Sequence, residues 1–210
     1  MNILPSLDQI AIKHGTDKSS LHHGYTRWYE MFFEPMRNER ITLFEAGWGG
    51  YQYPDRGGEG AKTWREYFPN AIIVSIDIHP KVHIPEGIEF HQGSQDDPQL
   101  WRSLVNKYGN PDIFICDASH INSLEVATFR IIMPILNPKG YFVAEDCHTS
   151  YWSEVASDGT DFKGGLNRPG TVVENAKEMI DQVMSESDVG NWYGVESIHV
   201  FDKIIFYKKK

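Results

Sequence analysis

The chain has 210 residues, of which 40% are hydrophobic, 13% aromatic and 23% charged. That is the composition of a globular domain rather than a disordered, fibrous or disulfide-stapled chain, and at this length a core forms without metal or disulfide staples, so any metal would be functional. With 20 Lys and Arg against 29 Asp and Glu, the formal charge of -9 speaks against nucleic acid as a partner. Two cysteines, Cys116 and Cys147, suit a reducing, cytoplasmic setting, and no stretch approaches the roughly 20 apolar residues of a membrane span.

In chain order, the first apolar stretch is broken by Pro5 and Asp8 and reads as neither signal peptide nor anchor. Two helices are expected over 7–14 and 25–36, joined by GTDKSSLHHG, so that residues 1–40 form a helical cap segment before a domain over 41–210, a single domain overall. Apolar runs predict strands over 41–46, 71–77, 87–91, 112–117 and 141–146. Between them lie helical patterns over 60–67, 98–107, 121–136 and 171–187; in the third, Ile121, Leu124, Phe129, Ile132 and Leu136 share a face, with Pro138 and Gly140 just past the end. Residues 157–170 read as a mobile loop over a site. Two strand-like runs, 195–201 and 203–207, are so close that only an antiparallel hairpin joins them, and Lys208, Lys209 and Lys210 read as a solvated tail. The alternation is that of an α/β fold with a mainly parallel sheet and a terminal antiparallel hairpin.

Ligands of such sheets bind beyond the carboxyl ends of the strands. The first strand ends in Glu45 followed by Gly47, Trp48, Gly49 and Gly50; alone this is an ordinary strand-to-helix turn or a ligand loop, but with Asp77 at the end of the second strand a nucleoside becomes the better reading. After the third strand, Gln92, Ser94, Gln95 and Asp96 offer hydrogen bonds to an adenine edge, while Asp97 before Pro98 reads as a helix cap. The fourth and fifth strands end in ICDASH and AEDCH, placing Asp117, Glu145 and Asp146 together. Crowding three carboxylates is costly without a cation, and an all-oxygen set points to Mg²⁺; helix capping is the competing reading for any one of them. His120 stands at the start of the next helix as a general base, His148 as a weaker contact, and the two cysteines as small fillers.

Taken together, HGTDKSSLHHGY, EAGWGGY, GGEGAKTWREYFPNAIIVSIDIHPK, HQGSQDDP, DASHIN and EDCHTSYW resemble the metal-dependent sugar O-methyltransferases of macrolide biosynthesis, the macrocin and mycinamicin type, from about residue 14 to 152. The resemblance implies a class I S-adenosylmethionine (SAM) methyltransferase fold, Rossmann-like, with a seven-stranded sheet and helices on both faces. It implies that Asp117, Glu145 and Asp146 hold Mg²⁺, that His120 is the base, and that SAM is held by Glu45, Gly47, Gly49, Asp77, Ser94, Gln95 and Asp96, with Thr16, Lys18 and Tyr25 closing over it. The acceptor would be a glycoside or sugar, in a chain compatible with a homo-oligomer. The sequence departs from the pattern at Cys116, where a second aspartate is expected, at Leu124, where a second histidine often follows, and at Ala118, where glycine is usual. Rival readings are a catechol or other vicinal-diol O-methyltransferase, a nicotinamide-dependent oxidoreductase using the same glycine turn, and an inactive SAM-binding module. Titration with SAM against NAD separates the oxidoreductase, against which the carboxylate cluster already argues.

Overall fold

The computed structural model describes residues 4–185 and 190–210, folded as two compact units, Met1–Gly93 and Ser94–Lys210. The seven strands divide three and four between them.

In the first unit, α1 (Leu7–His14) and α2 (Thr26–Phe33) precede β1 (Thr42–Ala46), α3 (Glu59–Tyr67), β2 (Ile72–Asp77) and β3 (Ile88–Gln92). Helix α1 begins where the Ser6 hydroxyl accepts from the Gln9 N–H and the Gln9 side chain answers to the Ser6 N–H, and it stops at Gly15 in the left-handed region. The Asp8 carboxylate accepts from the Ser20 N–H and hydroxyl and from the Thr26 hydroxyl, tying α1 to the start of α2. β2 runs between β1 and β3, parallel to both, and every residue of β1 is buried. Tyr29, Phe33, Trp64 and Phe68, all fully buried, interlock edge-to-face and tilted; the Tyr29 and Trp64 centroids are 5.0 Å apart.

The second unit contains α4 (Pro98–Tyr108), β4 (Ile113–Cys116), α5 (Asn122–Ile132), β5 (Tyr141–Ala144), a 3-10 turn (Cys147–Tyr151), α6 (Val172–Met184), β6 (Val195–Phe201) and β7 (Ile204–Lys209). β4 and β5 are parallel; β7 lies antiparallel between β5 and β6, so the strand order is β4-β5-β7-β6. Phe114, Phe129, Phe142 and Tyr207 form its aromatic core, with Phe129 and Tyr207 centroids 4.7 Å apart. The expected end of α6 at Ser187 lies outside the described residues.

Two expectations are corrected. The 121–136 pattern is an α-helix only to Ile132, continued by a 3-10 turn (Met133–Ile135), and its buried face carries Asn122, Glu125, Val126, Thr128 and Phe129 rather than Leu124. Of the three lysines only Lys210 is exposed, as expected of a solvated tail. Lys208 lies in β7, 3.0 Å from Glu196, and the Lys209 ammonium donates to the Met133 and Tyr193 carbonyls. Burial pulls the Lys209 pKa down.

Candidate active site

At the end of β1, the Glu45 carboxylate is buried, accepts from the Trp64 indole N–H at 2.9 Å and lies 4.0 Å from the buried Lys18 ammonium. A Cβ at Gly60 would sit 2.9 Å from Glu45 Oε1, so only glycine lets α3 approach this pair. Thr16 and Tyr25 are buried in the same unit, Tyr25 stacked on His23 at 5.2 Å. Beyond Glu45 the chain turns through Gly47 and Gly49, both in the left-handed half of backbone space. The Asp77 carboxylate accepts from the Trp48 N–H at 3.1 Å and the His79 N–H at 2.8 Å, leaving acceptor capacity for a hydroxyl pair. Lys81, which sequence reasoning missed, clamps the loop by donating to the Gly49 and Tyr51 carbonyls at 2.6 Å each and to Tyr53 at 3.2 Å. Nothing in the residue string distinguishes it from a surface lysine.

In the second unit, ligand atoms of Asp117, His120 and Asp146 lie within 4.8 Å of one another. The His120 Nε2 is 3.7 Å from Asp117 Oδ1 and 3.6 Å from Asp146 Oδ2. Both His120 and Asp146 have positive φ, 54° and 51°, an uncommon conformation for residues with a Cβ that clusters at functional sites. The His120 N–H donates to Glu125 Oε1 at 3.2 Å, while its ring Nδ1 is buried without a hydrogen-bond partner among the described residues. Glu145 is buried next to Asp146 and stands outside this trio. His148 Nδ1 is 3.8 Å from the other Asp146 oxygen.

Ser94 donates to Asp96 locally. Gln95 turns inward, its amide donating to Thr128 at 3.1 Å and its oxygen accepting from the Ser119 N–H at 3.1 Å, so it braces the turn before His120. Burial raises the Glu125 carboxyl pKa and pushes the Cys116 and Cys147 thiols well above the usual range, which keeps both cysteines neutral. Asn122, fully buried and also missed from the sequence, makes four side-chain hydrogen bonds: it donates to the Thr149 and Phe162 carbonyls and accepts from the Ser150 hydroxyl and the Val172 N–H. It thereby joins the start of α5, the turn after Asp146, the 157–170 loop and the start of α6.

No protein-family model matches the chain. A demethylmacrocin O-methyltransferase of Streptomyces fradiae is 33% identical over 211 residues, covering 98% of this chain and 53% of that protein. An 8-demethyl-8-alpha-L-rhamnosyl tetracenomycin-C 2'-O-methyltransferase of Streptomyces olivaceus is 39% identical over 150 residues, 71% of this chain and 39% of that protein. Among solved structures, the MycE methyltransferase of the mycinamycin biosynthetic pathway, in complex with Mg, SAH and mycinamycin VI, matches with a TM-score of 0.87 and 30% identity over 98% of this chain and 55% of that one. The chain thus spans about half the length of the demethylmacrocin enzyme it matches.

Proposed function

We propose, for a chain that has the class I SAM methyltransferase fold and is homologous to the macrocin and mycinamicin sugar O-methyltransferases, that it moves the methyl group of SAM to a sugar hydroxyl of a glycosylated natural product with Mg²⁺ as cofactor. The observation that carries this reading is the convergence of Asp117 and Asp146 on the Nε2 of His120 at 3.7 and 3.6 Å.

Two carboxylates facing one another across an imidazole suit a hard divalent cation, which Asp117 and Asp146 would hold with Glu145 beside them. Such an ion, when bound, supplies Lewis acidity that brings a sugar hydroxyl closer to neutral ionisation. His120 takes the hydroxyl proton at Nε2, and the two aspartates stabilise the imidazolium that results. The Glu125 bond to the His120 N–H and the left-handed turn fix that ring before substrate arrives. SAM supplies the electrophilic methyl group; as the sugar oxygen forms its bond to that carbon, the carbon–sulfur bond breaks and S-adenosylhomocysteine is released. In the first unit, Asp77, Glu45, Gly47, Gly49, Thr16, Lys18 and Tyr25 are the residues assigned to SAM. Asp77 fits a ribose diol by its remaining acceptor capacity.

The test is a tritiated-SAM assay over a panel of glycosides and activated sugars. Transfer should stop in EDTA and return with Mg²⁺; full activity in chelator removes the metal, and no transfer to any sugar removes the reading. His120→Ala should lower turnover by about 10²–10⁴-fold with the Kd for SAM unchanged; a collapse of SAM affinity with turnover retained would reverse the assignment.

A further inference from the structure

Resting on the sugar O-methyltransferase reading, we propose that the indole of Trp152, with the His148 imidazole beside it, is the platform on which the acceptor pyranose lies. His148 links the two halves of this surface: its Nδ1 is 3.8 Å from Asp146 Oδ1, and its ring meets Trp152 edge-on, centroids 4.9 Å apart at 81°. Trp152 also meets Phe162, with centroids 5.1 Å apart at 81°. Trp152 as a residue is nevertheless 45% exposed.

An exposed aromatic alone means little; this one is held. The Trp152 N–H donates to the Thr149 carbonyl at 3.1 Å. A Cβ at Gly164 would fall 2.5 Å from the Trp152 carbonyl oxygen and 2.2 Å from that of Thr149, so the 157–170 loop presses its backbone against the platform's base. Asn122 fastens Thr149 and Phe162 together, two residues beyond His120. The turn after His120 and the backbone that carries Trp152 therefore share one hydrogen-bonded support.

The occupant follows from the chemistry. A pyranose has an apolar C–H face and a rim of hydroxyls. An indole face suits the first, while the imidazole of His148 and the carboxylates beside it suit the second. Neither neighbouring ring lies parallel to Trp152, so these two do not form with it the slot between parallel rings that grips a planar catechol.

The probe is p-nitrophenyl α-L-rhamnopyranoside with the full chain. Trp152→Ala should raise its KM at least tenfold and abolish saturation transfer to the sugar C–H protons in NMR without SAM, while the KM for SAM holds; Trp152→Phe should recover most of both. Trp152→Leu, which fills the space without an aromatic face, must also lose affinity, and decides the matter should the alanine variant fold poorly. Wild-type methylation of the rhamnoside with unchanged KM in the alanine and leucine variants overturns the platform alone. No transfer to any glycoside by wild type overturns the sugar reading and the platform with it. Transfer to 3,4-dihydroxybenzoate that depends on Trp152, with the rhamnoside inert, overturns it as a sugar site.

Discussion

Glu125 illustrates how much one buried carboxyl can govern. It packs against Gln95 at 3.4 Å, its Oε1 holds the His120 N–H, and its Oε2 is buried without a hydrogen-bond partner among the described residues. Because burial raises its pKa above the usual 4.5, the folded state keeps the proton longer than the unfolded chain does. The corresponding stability is present in full below pH 4.5 and is lost as pH rises through the folded-state value. Glu125→Gln, a neutral isostere, should therefore be less sensitive to pH than wild type above pH 4.5 in thermal melts; parallel curves would refute a protonated Glu125. At Asp146, whose φ of 51° asparagine tolerates, Asp146→Asn should keep the fold and weaken Mg²⁺ binding by roughly tenfold or more, read by isothermal titration. Asp117, His120 and Asp146 were legible in the sequence because they fall at strand ends where α/β sheets gather chemistry. Glu125, Asn122 and Lys81 were not, because a polar side chain on an amphipathic pattern reads as surface until its partners, dozens of residues away, are known.

At the scale of elements, legibility followed local signals. Helix α1 could be read to the residue because Ser6, Gln9 and Gly15 carry both its ends in neighbouring positions. The strands were readable as apolar runs, within a residue or two at their ends. Helix α5 was misjudged on its buried face, since Asn122 and Glu125 are inside and only tertiary hydrogen bonds repay their burial. That gives a sharp expectation: Asn122→Ala leaves the Ser150 hydroxyl and the Val172 N–H without their acceptor, takes one of two donors from the Thr149 carbonyl, and should cost about 2–4 kcal/mol in denaturant unfolding. Hydrogen exchange should rise first in residues 157–170 and at the start of α6, the segments it fastens. A uniform loss of protection would mean that the side chain only fills space.

Across the whole molecule, the -9 charge is unevenly employed. Among the described residues only Glu45, Glu125 and Glu145 of the acidic side chains are buried, but Asp117 and Asp146 face one another around His120, a repulsion that a divalent cation relieves. Mg²⁺ at about a hundred times its Kd should therefore stabilise the protein by about 2.7 kcal/mol, a rise in Tm of roughly 5–10 °C that EDTA reverses and that Asp117→Asn abolishes. An unchanged Tm would mean that these carboxylates bind no ion. The β4-β5-β7-β6 order also imposes a schedule on assembly. β6 precedes β7 in the chain yet pairs with β7, so it has no place on the growing sheet until the later strand has seated against β5. The Asp202–Lys203 turn makes the two strands a local hairpin, a structure that forms in about 1–10 μs, ready to dock through β7 as one piece. Time, as well as contact, is thus written into the strand order: the edge of this sheet is made early and attached late.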